Sequence, residues 1–392
     1  MNNPSTVIRY INIAHFIDHF AILIFAAAVV VMAPVFKMGY GELLPYATPG
    51  FIAFGAGSLL SGWLGDRWSR RHMMVLFFIG MGLALIGVGL TQTPTQLGIG
   101  LLAIGLVASI YHPVGTAMLT AHAEQVGREL GINGVWGNLG VALSALVTGV
   151  LVEFAGWRTA FILPGILCLI LGWMFFMHVK HAPSPAKAAG ATKARVSRKA
   201  MVLVIASLVI TVLASSTTFN AVTVAVPKLF EERLSALTSS PAKLGVIAAV
   251  VYVFGAFAQY TIGHLIDKKP LKDIFLPLAI IIVPSLYIAS MVSGWLLIAI
   301  SVVVVIGIFG QVTVNDAMIA KYTSDEWRAR AYSARYFLGF TAAGLSVGLV
   351  SWLYIQGGFT TMLQAFSLLC LMIVVGAVIF PREDSTPTGT TK

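Results

Sequence analysis

Apolar and polar positions in this chain segregate into whole segments rather than alternating residue by residue. Ile99–Ser109, Val202–Ala214, Ile274–Val292 and Leu296–Phe309 each lie in a stretch of about 20 residues without a full charge, long enough to cross a ~30 Å hydrocarbon core. Inside such a core every backbone amide must be satisfied within the protein, so these stretches are helices. Alternating ten-residue segments, which would mark a membrane β-barrel, do not occur in the sequence. Cut at its polar breaks, the chain predicts spans near 8–34, 43–64, 73–91, 95–121, 131–153, 158–178, 201–227, 243–265, 273–292, 295–319, 332–355 and 359–380. The fold class expected is therefore all-α integral membrane, with twelve transmembrane helices. The first apolar run continues past Pro34 without a small-residue cleavage site, so it reads as a retained helix rather than a signal peptide.

Composition agrees with a chain solvated by lipid. Of 392 residues, 58% are hydrophobic and 10% charged, where soluble domains carry about a quarter charged residues. The net charge of +10 might suggest nucleic acid, but its distribution excludes that reading. With both tails placed in the cytoplasm, inside segments hold 19 Lys and Arg, outside loops hold five, and Arg335 lies within a span. This asymmetry is the positive-inside rule; it predicts a multi-pass protein of a cell's inner membrane with cytoplasmic termini and the lipid bilayer as its partner. Cys168 and Cys370 lie mid-span and are not expected to pair.

One long basic connection, 179–200, combines Pro, Ala, Gly and Lys without an apolar period and reads as a flexible linker. It divides the chain into a six-helix unit over 1–178 and another over 201–381, followed by a polar tail over 382–392 that is expected to be disordered. The units share a pattern: Gly62-Trp63-Leu64-Gly65-Asp66-Arg67 and Gly263-His264-Leu265-Ile266-Asp267-Lys268 both read G-x-L-x-D-(R/K), 201 residues apart. Arg128 and Arg330 follow the fourth and tenth spans at nearly the same offset. Gly62–Arg71 resembles the signature of the major facilitator superfamily between its second and third helices, with Ser69 where a glycine is usual. That resemblance implies two six-helix halves with a substrate site between them near the midplane. Gly62, Asp66, Arg67, Arg70, Arg71 and Arg128, with Gly263, Asp267, Lys268 and Arg330, would then form gating contacts, unless Arg67, Arg70 and Arg71 only anchor topology and lipid head groups. Asp66 suits a helix-end amide and arginine partners.

Ionisable residues inside spans are costly and mark function by default. His15, Asp18 and His19 cover about a 100° arc of the first helix. Asp18 lies roughly 13 Å from the cytoplasmic start, at the depth of His112 in the fourth span. Pro113, next to His112, removes a backbone hydrogen bond and is expected to kink its helix. These four residues are expected to meet in one cluster facing the cavity between the halves; for His15, Asp18 and His19 helix–helix hydrogen bonding is the simpler alternative. A first-span H-x-x-D/N (His15, Asp18) with a fourth-span Y/F-H-P (Tyr111, His112, Pro113) resembles the fosmidomycin-resistance-like exporters. Asp316 and Arg335 lie on the tenth and eleventh spans, each about one turn from their shared loop. They are open to two readings, a structural clasp or anion recognition by the guanidinium.

The function expected is proton-coupled secondary transport of a small polar or amphipathic molecule, more readily outward. Asp18 and His112 would carry the proton, since a histidine beside a carboxylate titrates in the physiological range. His15, His19, Tyr111, Asn220, Asn315, Asp316 and Arg335 would line the substrate site. The alternative is transition-metal transport through His15, Asp18, His19 and His112, whose nitrogen and oxygen ligands suit such ions. Phosphate-binding glycine loops and an appended soluble domain are absent from the sequence, so neither an enzyme nor a cofactor is expected. A monomer is expected.

Overall fold

The computed structural model describes residues 3–180, 198–266, 268–322 and 325–382; the side chains of 126–127, 198–200 and 325–333 lie outside that description. The expected linker and tail, Asp267 and the Arg330 side chain thus fall wholly or largely beyond the described residues. The helices are α1 (Pro4–Val35), α2 (Tyr40–Leu43), α3 (Thr48–Leu64), α4 (Arg70–Gly89), α5 (Pro94–Ala108), α6 (Thr116–His122), α7 (Val126–Ala155), α8 (Trp157–His178), α9 (Arg198–Arg233), α10 (Pro241–Ile266), α11 (Leu271–Ala289), α12 (Gly294–Tyr322) and α13 (Asp325–Ile379). No strand occurs among the described residues.

Ten helical stretches among the described residues are long and apolar enough to cross a membrane. Two of them, Tyr40–Gly89 with 50 residues and Ala334–Ile379 with 46, are more than twice the ~20 residues one passage needs. The first is divided by a π turn at Gly65–Ser69. The second is divided at Gly357 and Gly358, where the backbone leaves helical geometry and Gly358 adopts a φ of 65° that a side chain would resist. Both divisions fall where the sequence placed a loop between spans.

Local signals set the helix ends. Pro4 opens α1 and the Asn3 side chain accepts from the Ser5 amide at 3.1 Å. Thr93 and Gln96 form a capping box over α5, with Pro94 at its first turn. Within the bundle, α1 is central and α8 peripheral: 67% of the most apolar window of α1 is buried against 33% for α8. The outer face of α8 carries Leu163, Leu167, Ile170 and Trp173, an apolar stripe at helical spacing that lipid covers.

The chain before residue 180 meets the chain after 198 along two seams, α7 against α10 and α3 against α13, with α1 beside α9 between them. Small residues allow the approach: a Cβ on Gly245 would lie 2.5 Å from the Ala145 carbonyl oxygen, and one on Gly344 2.7 Å from the Ile52 nitrogen. The seams are closed at the end remote from the N-terminus. There Glu153 accepts from the Ser240 hydroxyl and from the Ala242 amide at 2.9 Å, Ser351 donates to the Gly41 carbonyl, and the Tyr40 and Tyr354 rings meet at 5.0 Å. At the near end Gly131 and Gly134 face open space and the Asp66 side chain is 71% exposed.

Candidate functional site

The first helix delivers His15, Asp18 and His19 to one place because positions three and four apart share a helix face. The partner surface is a π turn, Tyr111–Gly115, inserted between α5 and α6 at Pro113. Such turns are rare and concentrate at functional sites. It sets His112 Nε2 3.5 Å from Asp18 Oδ2. Asp18 is fully buried, and among the described residues neither of its oxygens nor His112 Nε2 has a hydrogen-bond partner. A buried carboxylate without hydrogen bonds is costly unless a charge or a proton compensates it, so this pair must hold the proton on one member or the other.

Aromatic packing fixes the imidazoles. The His15 ring lies 4.7 Å from Tyr111 in a stacked arrangement, 5.0 Å from His19 and 5.4 Å from His112. His15 Nδ1 is 2.7 Å from the Asn133 carbonyl oxygen. Tyr111 donates to Asn133 Oδ1 at 2.9 Å, and Asn133 donates to Asn12 Oδ1 at 2.8 Å, tying α1, the π turn and α7 together. From the far side, Phe340 and Tyr336 of α13 approach the His112 ring at 4.9 and 5.6 Å, and Phe54 of α3 at 5.8 Å. Sequence reasoning placed His15, Asp18, His19 and His112 together but missed Asn12, Asn133, Phe54, Tyr336 and Phe340. Asn12 carried a signal, one turn before His15 on the same face; the aromatic residues carried none. Asp18 itself does not face open space in this conformation. The groups around it are partly exposed, His112 at 12% and Asp316 at 38%, with His15, His19, Arg335 and Tyr336 also between buried and exposed.

Asp316 and Arg335 form the anticipated pair, with NH1 3.0 Å from Oδ1, and the Arg335 guanidinium carbon lies 5.1 Å from the Tyr336 ring. The neutral polar residues Asn315 and Asn220 bridge helices. Asn315 accepts from Thr211 at 3.1 Å and donates to Ser215 at 2.9 Å, joining α12 to α9. Asn220 donates to the Ala343 carbonyl at 2.7 Å and to Ser346 at 2.9 Å, joining α9 to α13.

The signature segment packs onto the π turn. A Cβ on Gly62 would lie 3.2 Å from Pro113 Cβ, and one on Gly65 2.8 Å from Val114 Cγ2. Asp66 pairs with Arg70 at 2.6 Å on the same turn, and Arg67 lies over Trp63 at 5.5 Å. Arg71 donates to the Phe176 carbonyl at 2.7 Å and to that of Val179, capping α8. These contacts stay within the first 180 residues and do not join the two parts of the chain. Arg128 is exposed, Gly263 has Thr313 as its neighbour at 3.9 Å, and the Lys268 amide donates to Leu265 in a turn. Cys168 and Cys370 are buried and free.

His15, His19 and His112 also bring a ring nitrogen each within 4.8 Å of the others. One nitrogen of His15 already faces a carbonyl oxygen, and the comparisons with known proteins give transition-metal transport no support.

A bundle of membrane-length helices with an ionisable pair buried inside it marks a functional site. The family model described as Major Facilitator Superfamily matches residues 11–315 and 208–392, and the chain belongs to that family. Members of that family are transporters and not enzymes. Curated relatives match shorter stretches. A "Probable hexose phosphate transport protein" of Chlamydia muridarum is 29% identical over 34% of this chain and 30% of its own length. A puromycin resistance protein of Streptomyces alboniger is 30% identical over 27% of this chain and 22% of its own. A gallate transporter of Pseudomonas putida is 23% identical over 38% and 36%. The matched region thus spans about a third or less of these relatives. Two structures of a bacterial homologue of the human lysosomal transporter Spinster, unoccupied and occupied, share the fold. Their TM-scores are 0.75 and 0.78 at 13% and 12% identity, over 96% and 97% of this chain and 94% and 97% of theirs.

Proposed function

We propose that this member of the superfamily is a proton-coupled secondary transporter, moving a small polar or amphipathic molecule by alternating access between two six-helix halves. The observation that carries the reading is the fully buried Asp18, whose oxygens lack hydrogen bonds and whose neighbour at 3.5 Å is an imidazole. Such a pair is stable only with its proton, and shifts that proton when its surroundings change. His15, His19, Tyr111, Tyr336, Arg335 and Asp316 are the other titratable and charged groups around it, and substrate would contact some of them. His112, at 12% exposure, gives the proton its route to water.

Alternating access is supported by two seams held at one end and loose at the other. In the proposed topology of twelve spans with cytoplasmic termini, the closed end is the outer one. The relatives named for hexose phosphate, gallate and puromycin support a small-molecule cargo, and the fosmidomycin-resistance-like pattern supports export. The test is reconstitution. Purified protein is first screened for thermal stabilisation by hexose phosphates, gallate and puromycin, because a ligand stabilises in proportion to its occupancy. The best ligand is then placed on one side of proteoliposomes carrying a pH gradient. Accumulation that follows the gradient and collapses with a protonophore is expected. Equal equilibration with and without the gradient would replace the reading with uniport.

A further inference from the structure

We infer that the carrier's cargo is a small organic anion with a flat apolar body, held by the Nε–NH2 edge of Arg335. The inference rests on the proposed transporter reading and names the substrate class of that site. The Arg335 side chain is nine-tenths buried, and only part of its donor set is used. NH1 faces Asp316 Oδ1 at 3.0 Å. NH2 reaches the Val312 carbonyl at 3.5 Å, the limit of a hydrogen bond, and Nε is buried without a partner. Nε and NH2 form the edge that grips a carboxylate or phosphate through two parallel bonds. A clasp whose sole duty was to hold Asp316 would turn that edge to it. Here the pair meets through NH1, and the two-donor edge is left over.

The surroundings select the same class. From α13 come Arg335 and Tyr336; from α12, Asp316; from α1, His15, Asp18 and His19; from the π turn, Tyr111 and His112. Asp316 balances Arg335, Asp18 and His112 share a proton, and His15 and His19 are bases able to accept one more. An entering anion is therefore balanced by proton uptake on an imidazole, whereas an entering cation meets Arg335 and three imidazoles. The partly exposed Tyr336 and Phe340 rings, 5.6 Å apart and backed by buried Phe54 at 4.6 Å from Phe340, would supply a surface for a flat apolar group. Asp316, 38% exposed, is the resident anion that a substrate would partly displace.

The experiment measures binding at one fixed pH to the full-length chain in detergent, using melting temperature and intrinsic fluorescence. The probes are benzoate and phenyl phosphate, their uncharged counterparts benzamide and benzyl alcohol, and benzylammonium. The anions should stabilise the protein and the other three should not. Arg335→Lys, which keeps the charge and loses the fork, should weaken anion binding at least tenfold. Asp316→Asn should tighten it several-fold by removing the competitor. Should Arg335→Lys fail to fold, Asp316→Asn alone decides: unchanged or weaker anion binding overturns the proposal. Equal stabilisation by uncharged counterparts also overturns it. An anionic lipid, phosphatidylglycerol in mixed micelles, forms a separate arm. Stabilisation by that lipid and by none of the soluble anions would assign the guanidinium to a headgroup and overturn a soluble cargo. Because no gradient is applied, anion selectivity can fail while gradient-driven transport survives, and the reverse.

Discussion

Removing His112 should destabilise the protein more than neutralising Asp18, and neutralising Asp18 in the His112 variant should restore much of the loss. With the proton on His112 and Asp18 ionised, opposite unit charges at the 3.5 Å separation of this pair attract by about 5 kcal/mol at an effective dielectric constant of ~20. Withdrawing each ion from water costs several kcal/mol, so the intact pair contributes little net stability. Removal of one partner is the costly event. His112→Ala leaves Asp18 fully buried with no hydrogen bond. A carboxylate stranded there would cost about 3–5 kcal/mol, and one that takes up a proton about 1–3 kcal/mol for the unpaired polar group. Asp18→Asn leaves a neutral imidazole beside an amide able to donate to it, an expected loss of about 1 kcal/mol. The double variant holds no stranded charge and should lie closer to Asp18→Asn than to His112→Ala. Melting of the four purified proteins in detergent, followed by intrinsic fluorescence, reads this order. Asp18→Asn, still folded, should also lose gradient-driven accumulation in proteoliposomes. A His112→Ala protein that melts with the parent would refute the paired-charge account. So would a double variant no more stable than His112→Ala.

At the closed end, Glu153→Ala removes the acceptor of the Ser240 hydroxyl and the Ala242 amide. It should speed labelling of a cysteine placed at Val152 by a membrane-impermeant maleimide; an unchanged rate would remove Glu153 from the closure. On the α3–α13 seam, Gly344→Ala brings a Cβ within 2.7 Å of the Ile52 nitrogen, whereas Gly348→Ala meets Thr48 no closer than 3.7 Å. Gly344→Ala should cost about 1–3 kcal/mol of stability and Gly348→Ala much less, read again as melting temperature. Equal effects would show that the seam yields.

The membrane fold was legible because lipid imposes one local solution on every apolar stretch, so segment length and sparse charge define the elements without tertiary detail. The division of the long helical stretches was legible too, at the polar Gly65–Ser69 turn and at Gly357–Gly358. In the site, the four ionisable residues could be grouped because their depth follows from helix rise and their face from helix period. The groups that orient them could not. Asn133 is brought to His15 by the packing of α7 on α1, and Tyr336 to His112 by the α3–α13 seam, neither of which leaves a periodic trace. The positions of Asp66, Arg67, Arg70 and Arg71 were equally out of reach. Their present partners lie within the same turn or on α8, a choice set by the conformation and not by the motif.

The signature segment packs directly on the turn that carries His112. Gly62 and Gly65 present backbone to Pro113 and Val114, the residues that follow His112 in its π turn. On the proposed mechanism, a shift of that turn on proton movement at Asp18–His112 would be pressed on α3 just before Asp66. Gly65→Ala tests this, because its Cβ would lie 2.8 Å from Val114 Cγ2, a side-chain atom that a second substitution can remove. Gly65→Ala should lower both melting temperature and transport rate, by about 1–3 kcal/mol in stability if the turn cannot move aside. Gly65→Ala with Val114→Ala removes the clashing methyl and should recover a large part of both losses. Val114→Ala alone should be the milder change, since it empties a small space without displacing His112. If the double variant merely adds the two single losses, the contact between motif and turn carries no coupling, and the proposed mechanical link fails.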